Sequence, residues 1–237
     1  MSLYARIAYL PAGDSAVVVE FGDAIHPAIH RIVRGFMLAL QQHPIPGVRE
    51  CIPTYRSVLV LYEPARLWYH EVIEQLKARA AHLEADAIPV PRTVNIPVIY
   101  GGRGGPDLEF VAEHAQLSPD EVIVLHSDAE YLVYMLGFTP GFCYLGGLDE
   151  RLETPRRAEP RTGIPAGSVG IAGRQTGVYP IDSPGGWQII GQTTMRLFDP
   201  HRNPPVLIRA GDIVRFVPQK DMKTEFNHRL HRLHRLF

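Results

Sequence analysis

The sequence predicts an α+β protein with two domains, a small βαββα domain at the N-terminus followed by a mostly β barrel. Three observations support this organisation. A proline-rich seam, "AIPVPRTVNIP", separates two halves of different character. The first half alternates apolar strand-like runs with two amphipathic helical segments. The second half is a series of short runs separated by Gly or Pro, which favours a barrel or sandwich over a doubly wound sheet.

The N-terminal domain is predicted over residues 1–88. Its first strand, "AVVVEF", precedes the helix "PAIHRIVRGFMLALQQ", where apolar side chains recur at helical spacing and Pro27 lies near the first helical position. A hairpin pair follows, "VRECIPTY" and "SVLVLYE", and then the amphipathic helix "RLWYHEVIEQLKARAAHL". Pro89 and Pro91 lack backbone donors and bias the preceding residues toward extended conformations, so this seam is predicted to be a linker.

The barrel domain is predicted over residues 93–220, with a basic tail over residues 221–237. "TVNIPVIY" is its first predicted strand. Ser118, Pro119 and Glu121 form the signature of a helix start, with Ser118 as the N-cap. Beyond Glu130 nearly every segment is predicted to be a short strand: "EYLVYMLGF", "GSVGIAG", "GVYPI", "GWQIIG", "TMRLF", "PVLI" and "DIVRFVP".

Charge and composition exclude several classes of partner. With 24 basic and 25 acidic side chains the net charge is -1, so there is no electrostatic case for binding nucleic acid or an anionic membrane. The N-terminus lacks the pattern of a signal peptide, and no apolar run is long enough to span a bilayer. Cys51 and Cys143 have no metal-ligand spacing and are interpreted as reduced, partly buried thiols. Together these features predict a cytoplasmic protein.

The tail carries a three-residue repeat, "HRLHRLHRLF", with histidines at His228, His231 and His234. Two histidines at this spacing could hold a metal ion, but no carboxylate accompanies them. A frayed or packing terminal helix is the commoner explanation, and no metal site is predicted.

The segment Thr162 to Gly191 is rich in Gly and Pro, and it matches no standard phosphate or nucleophile motif. No lysine lies between Arg103 and Gln219, which excludes a Walker A loop. Ala166 stands where a nucleophile elbow needs Gly. The run Gly101 to Gly105 could bind an anion through backbone amides, although a plain surface loop is more common. Tight barrel corners would also explain the Gly and Pro content without any function.

Aromatic and polar side chains accompany these glycines. Aromatic walls, fork-shaped donors and closely approachable backbone are what a polar small-molecule pocket requires, so this segment is predicted to line a functional face. His126 lies at the end of the predicted helix, where the helix dipole favours an imidazolium; a half-exposed capping role is the alternative. The predicted ligand donors are His126, Arg156, Arg161 and Gln175. The predicted substrate-binding residues are Phe142, Tyr144, Gly167, Ser168, Gly170, Tyr179, Ser183, Gly185, Gly186 and Trp187.

The stretch "GFTPGFCYLGGLDERLETPRRAEPRTGIPAGSVGIAGRQTGVYPIDSPGGWQIIGQT" closely resembles the family that contains the B subunits of bacterial ATP-dependent 5-oxoprolinases. The same family includes the sporulation-kinase inhibitor KipI and one half of the carboxyltransferase domain of urea carboxylase. Many members carry the older label allophanate hydrolase subunit 1. "GDSAVVVEFG" and "AGDIVRFVP" extend the resemblance over nearly the whole chain. Cys143 follows "PGF" where the family is expected to have a small residue or Pro.

The resemblance implies a cyclophilin-like barrel and a heteromeric enzyme that opens 5-oxoproline to L-glutamate with hydrolysis of ATP. It implies ATP with Mg²⁺, bound in the assembled complex, and no tightly bound cofactor. The implied partners are the companion subunits C and A and a small-molecule amide substrate, and the single chain is expected to be inactive. Under this hypothesis His126 and Arg161 contact the ligand and contribute little to stability. Two alternatives stay open: a KipI-like inhibitor of a sensor histidine kinase, and a component of a urea or allophanate-type complex.

Overall fold

The structure is a computed structural model that describes residues 3–81, 83 and 88–219. The chain divides into two compact units, residues 1–91 and 92–237. The division follows Pro91, inside the stretch that the sequence predicts to be a linker. The tail with its three-histidine repeat, predicted over residues 221–237, lies outside the described residues.

The N-terminal unit is a four-stranded antiparallel sheet with two helices. Its strand order is β1-β2-β4-β3. The first strand is an addition to the predicted βαββα order: "LYARIAYLP" has one β-branched residue, so pairing with the next strand rather than local propensity determines it. The elements are β1 Leu3–Pro11, β2 Ala16–Gly22, α1 Pro27–Gln42, β3 Val48–Pro53, β4 Ser57–Tyr62 and α2 Tyr69–Ala80.

The core of this unit forms where α1 meets the sheet. Ile29, Val33 and Phe36 are fully buried at the helical spacing that the sequence shows. Val17 of β2 and Val58 of β4 are fully buried in the same cluster. The N-terminal unit therefore has a hydrophobic core of its own.

The C-terminal unit is built on a closed barrel of seven strands, in the order β10-β7-β6-β13-β5-β12-β9. Closure satisfies the edge hydrogen-bonding groups of every strand, and it confirms the predicted fold class. A separate two-stranded sheet pairs β8 with β11. The strands are β5 Thr93–Tyr100, β6 Tyr131–Leu136, β7 Cys143–Gly146, β8 Arg161–Ile164, β9 Ser168–Ala172, β10 Gln175–Val178, β11 Ser183–Gly185, β12 Gln188–Gln192 and β13 Ile213–Pro218.

Two helices lie between β5 and β6, namely α3 Leu108–Ala115 and α4 Pro119–Asp128. The start of α4 is as predicted: the Ser118 hydroxyl accepts the Glu121 backbone N–H at 3.3 Å, and the Glu121 carboxylate accepts the Ser118 backbone N–H at 2.8 Å. The bonds that the Ser118 backbone N–H and hydroxyl donate to the carboxylate lower the pKa of Glu121. Helix α3 was not predicted from the sequence.

The predicted strands "TMRLF" and "PVLI" do not form regular strands. They contribute one antiparallel bridge, between Phe198 and Val206. Pro204 and Pro205 lack the N–H donors that a ladder would need, and the segment instead forms a long connection between β12 and β13. Within the described part of the chain, none of the helices combines the length and apolarity required to cross a membrane.

Candidate functional site

A cleft of about 1350 Å³ opens in the C-terminal unit. The loop after β5 forms one wall, and the chain after β12 forms another. Short segments before β9 and after β10 complete the lining. The polar lining is contributed by Gly101, Gly102, Arg103, Gly104, Gly167, Asp182, Gln192, Thr193, Thr194 and Arg196. The volume is sufficient for a small-molecule ligand.

A smaller cavity of about 160 Å³ has three lining residues in common with the cleft, namely Arg103, Gly104 and Gln192. The predicted site residues Arg161 and Ser168 line this smaller cavity, whereas Gly167 lines the large cleft. Three of the fourteen predicted site residues therefore border these two cavities.

Arg161 is held by a buried carboxylate. Its guanidinium donates two hydrogen bonds to Asp107, at 2.8 and 2.7 Å, in the bidentate geometry that arginine prefers. Asp107 also accepts the backbone N–H of Ile189 at 2.6 Å and a longer bond of 3.3 Å from Arg157. Asp107 is 5% exposed, so these donors compensate an otherwise costly buried charge. The ion pair joins β8, the start of α3 and β12.

His126 lies inside the barrel and is fully buried. Its Nδ1 is 2.7 Å from the Tyr100 hydroxyl, and its Nε2 is 2.8 Å from the Thr176 hydroxyl. Burial lowers the pKa of His126 to about 3, so the ring is neutral at physiological pH. The expectations of an imidazolium and of a half-exposed cap are both wrong, because desolvation outweighs the position at a helix C-terminus. The ring lines neither cavity.

The predicted aromatic wall is an internal cluster. Phe142, Tyr179 and Trp187 are buried, with Tyr144 packed against them half-buried. The rings meet edge to face, and the centroid distances from Phe142 are 5.0 Å to Tyr144, 5.2 Å to Tyr179 and 5.4 Å to Trp187. Burial raises the pKa of Tyr179 to about 12, although the nearby charges of Arg156 and Arg161 lower it slightly. These aromatic side chains stabilise the unit and do not line either cavity.

Most of the predicted glycines allow close packing. A Cβ at Gly167 would overlap the carbonyl oxygen of Thr193, and one at Gly185 would overlap the hydroxyl of Tyr179. A Cβ at Gly170 would lie 3.1 Å from a carbonyl oxygen and 3.2 Å from the Trp187 side chain. The Gly186 carbonyl accepts the Arg157 backbone N–H at 2.8 Å. Close packing therefore accounts for Gly167, Gly170 and Gly185 without a ligand. A Cβ at Gly186 would make only ordinary contacts, the nearest with Pro160 at 3.6 Å.

The remaining predicted residues line neither cavity. Arg156 is exposed, Gln175 is half-buried at the start of β10, and Ser183 is buried on β11. The Ser183 hydroxyl has no hydrogen-bond partner among the described residues. A role for these side chains in ligand binding stays a prediction.

The charged residues of the cleft were not predicted from the sequence. Arg103 is exposed and makes no hydrogen bond or ion pair with any described residue, in contrast to Arg161. The exposed Arg196 pairs with the half-buried Asp199 at 3.4 Å. Asp182 accepts the Ala166 backbone N–H at 2.7 Å through one carboxylate oxygen. Arg103 lies inside "GGRGG". That run of glycines was the available signal, although a plain surface loop is the more common explanation for it.

Comparison with known proteins places this architecture in a family. The family model described as "Carboxyltransferase domain, subdomain C and D" matches residues 7–208. The chain is 49% identical over 215 residues to the 5-oxoprolinase B subunit of Bacillus subtilis, covering 86% of this chain and 90% of the relative. It is 50% identical over 209 residues to the 5-oxoprolinase B subunit of Escherichia coli, covering 88% and 94%.

A solved structure agrees with the fold. The crystal structure of TTHA0988 superposes with a TM-score of 0.77 at 37% identity, covering 87% of this chain. This chain spans 40% of the length of TTHA0988, so the same architecture occurs there as part of a longer polypeptide. The chain belongs to the carboxyltransferase subdomain C and D family, together with the 5-oxoprolinase B subunits.

Proposed function

We propose that this chain is one component of a heteromeric enzyme that opens 5-oxoproline to L-glutamate with hydrolysis of ATP. The observation that carries the proposal is the 49–50% identity to two 5-oxoprolinase B subunits over nearly the full length of both chains. The cleft in the C-terminal unit supports it, because its volume and its donors suit a small polar amide and the oxyanions that arise when the amide reacts.

The chemistry explains why ATP is consumed. A lactam carbonyl is a poor electrophile, and transfer of a phosphoryl group to its oxygen converts that oxygen into part of a leaving group. ADP is the leaving group of that transfer. One water then adds to the carbon and the ring C–N bond breaks, with the nitrogen taking up a proton, which leaves an acyl phosphate. A second water releases inorganic phosphate and the γ-carboxylate of L-glutamate. Each step places negative charge on oxygen atoms, so the protein must supply hydrogen-bond donors and positive charge.

The residues of this chain that fit this task lie along the cleft. Arg103 and Arg196 are exposed cationic donors in its lining, and the hydroxyls of Thr193 and Thr194 are additional polar groups. Arg161 acts differently in this proposal. Because its guanidinium is bound to Asp107, it positions the wall of the smaller cavity rather than contacting substrate.

ATP as a substrate would bring Mg²⁺, which typically binds through phosphate oxygens, water and one or two carboxylates. Asp182 is the carboxylate in the cleft lining that fits this role, since its second oxygen has no hydrogen bond from the described residues. The bound ion would neutralise charge that develops during phosphoryl transfer. Among the described residues, no group of three or more His, Cys, Asp or Glu side chains could hold a metal ion on its own.

Assembly with further polypeptides is part of the proposal. The two bacterial relatives are each named as one subunit of 5-oxoprolinase, and the greater length of TTHA0988 agrees with assembly of this architecture with more chain. Companion subunits C and A are the proposed partners, with the complete active site formed only in the complex. The single chain is then expected to fold and to be catalytically inactive.

The test is reconstitution of this chain with companion subunits C and A. We expect ATP turnover that depends on 5-oxoproline in the complex, and none from the chain alone. Urea replaces 5-oxoproline in a parallel assay, because it is the substrate that the alternative amide-processing function would use. Turnover with urea and not with 5-oxoproline would contradict the proposal, and so would 5-oxoproline-dependent turnover in a complex lacking this chain.

A further inference from the structure

We infer that the loop Gly101–Gly104 is the oxyanion-binding subsite of the cleft, with Arg103 as its charged donor. The inference rests on the proposed function and assigns one part of that site. The ligand group is a phosphoryl or a carboxylate. Both present negatively charged oxygens that backbone amides and arginine recognise.

The backbone of this loop turns sharply at two glycines. Gly101 has φ +70° and Gly102 has φ +56°, two successive residues in the left-handed region. A tight turn of this kind exposes consecutive backbone N–H groups, which can bind an anion. Only glycine adopts this conformation without strain.

Packing does not explain the glycine at position 102. A Cβ there would have no atom within 4 Å, so the space is open and the backbone conformation is the only requirement. Gly105 is different, because a Cβ there would overlap the backbone of Ile190. At position 102 the backbone conformation, and not the available space, is therefore what requires glycine.

The amides of the loop are available to a ligand. The Gly101 N–H donates to the Ile190 carbonyl at 2.9 Å, and the Gly105 N–H donates to the Gly101 carbonyl at 2.8 Å. The three intervening amides, of residues 102, 103 and 104, have no acceptor among the described residues. Three consecutive donors thus stand at the wall of a cleft with no acceptor assigned to them.

The charges around the loop favour an anion. Arg103 is exposed, has no partner among the described residues and borders both cavities. Arg161 borders the smaller cavity, but Asp107 neutralises it. Of the carboxylates in the described residues, Asp182 is the one in the cleft lining, and Arg196 lies in the same lining. The unneutralised charge nearest to the free amides is therefore positive.

The test measures binding of inorganic phosphate and of 5-oxoproline to the full chain and to its reconstituted complex by calorimetry at fixed ionic strength. Arg103→Gln is expected to lower the affinity for the affected ligand by about 10-fold or more, because it removes a charge-assisted hydrogen bond. Gly102→Ala is expected to weaken it several-fold, because Ala disfavours positive φ. The two ligands distinguish the group that the loop binds. If the variants weaken binding of phosphate alone, the loop binds a phosphoryl group. If they weaken binding of 5-oxoproline, it binds the carboxylate of that molecule.

Matched controls remove generic effects. Gly173→Ala changes a glycine with φ +55° that also has no atom within 4 Å of its Cβ but lies in the turn between β9 and β10. Arg209→Gln removes an exposed arginine that lines neither cavity. Both controls should bind within about twofold of the parent chain.

If neither ligand binds, or if Arg103→Gln and Gly102→Ala bind both ligands like the controls, the inference is overturned. A different result would overturn the proposed function alone: the parent complex shows no ATP turnover that depends on 5-oxoproline, while phosphate binds and the two variants weaken that binding.

Discussion

Arg161 and Asp107 form a bidentate ion pair, with hydrogen bonds of 2.8 and 2.7 Å, across 54 positions of sequence. The arginine lies on β8, and the aspartate immediately precedes α3. Asp107 also accepts the Ile189 backbone N–H, so one carboxylate connects three parts of the unit. This geometry gives Arg161 a structural role that its sequence context did not indicate.

Arg161→Ala should therefore lower stability. The substitution leaves Asp107 buried with only the Ile189 amide and a long bond from Arg157, and breaking a buried pair of this kind typically costs about 3–5 kcal/mol. The side chain of Arg161 is 26% exposed, and the remaining donors persist, so we expect the free energy of unfolding to fall by about 2–3 kcal/mol. Chemical denaturation measures this change.

The control for this prediction is Arg174→Ala. Arg174 pairs with Glu150 and Glu153, which are both exposed, so its loss should change the free energy of unfolding by less than about 1 kcal/mol. Adding Asp107→Asn to Arg161→Ala should cost less than the sum of the single changes, since the two residues interact directly. Equal effects of Arg161→Ala and Arg174→Ala would contradict a buried structural pair.

The hydrogen bonds of His126 define its tautomer. The Thr176 hydroxyl donates to the Gly170 carbonyl at 2.9 Å, so it must accept from the Nε2–H of His126. The unprotonated Nδ1 then accepts from the Tyr100 hydroxyl. The His126 ring also stacks on Phe216 at a centroid distance of 4.5 Å. A neutral histidine is thus satisfied at both nitrogens within the barrel.

This arrangement predicts a pH dependence of stability with a defined sign. The pKa of His126 is about 3 in the folded chain and about 6.5 when unfolded, so the unfolded state binds the additional proton between these values. The contribution of the neutral His126 to the free energy of unfolding is complete above about pH 6.5. It is lost as the pH falls toward 3, by at most about 1.4 kcal/mol per pH unit. The free energy of unfolding is measured between pH 7 and 4.5 for the parent chain and for His126→Gln. The difference between them should shrink as the pH falls, because all other titrating groups are common to both. Parallel profiles would show that His126 is not buried and neutral.

The fold was largely accessible from the sequence because local patterns determine it. The apolar spacing of α1, the capping pair Ser118 and Glu121 and the Gly and Pro punctuation of the second half each predict an element that forms. Elements that depend on a distant partner were missed. Strand β1 is defined by pairing with β2. Helix α3 follows Asp107, whose side chain accepts hydrogen bonds from Arg161.

The candidate site was less accessible, for the same reason. Arg161 and Arg103 have the same chemistry in the sequence, and only the fold reveals that one faces a buried carboxylate and the other has no described partner. The aromatic residues near the glycines suggested a pocket wall, but edge-to-face packing places them together in the interior. The glycine run at Gly101–Gly105 allowed an anion site from sequence alone, but only the fold shows that Gly101–Gly104 and the chain after β12 line one cleft.

The two units should fold independently. Each has its own cluster of buried apolar side chains, and the division of the chain follows Pro91. We expect residues 1–91 and residues 92–237, expressed separately, each to unfold cooperatively with dispersed amide resonances. A fragment of residues 1–80 serves as a control, because it ends at the last residue of α2 and retains the same core residues. A molten or aggregated 92–237 fragment would show that the barrel requires the N-terminal unit.

Phe138 occupies a strained and exposed position in the connection between β6 and β7. It is a non-glycine residue with φ +65°, its side chain is exposed, and the N–H of Thr139 donates to the Gly137 carbonyl at 2.8 Å, which closes a γ-turn around it. The left-handed conformation costs an L-residue about 1–2 kcal/mol. The ring recovers part of this cost through an edge contact with Phe142 at 5.7 Å.

Comparing Phe138→Gly with Phe138→Ala isolates the cost of positive φ from the contribution of the ring contact. Both variants remove the ring and its contact with Phe142, but only Gly adopts positive φ without strain. We expect Phe138→Gly to be more stable than Phe138→Ala by about 1 kcal/mol, although Ala usually stabilises a chain relative to Gly at ordinary backbone angles. Chemical denaturation of the parent chain and the two variants measures this difference. An Ala variant as stable as the Gly variant would mean that the turn at Phe138 is not left-handed in solution, because nothing else at this exposed position favours Gly.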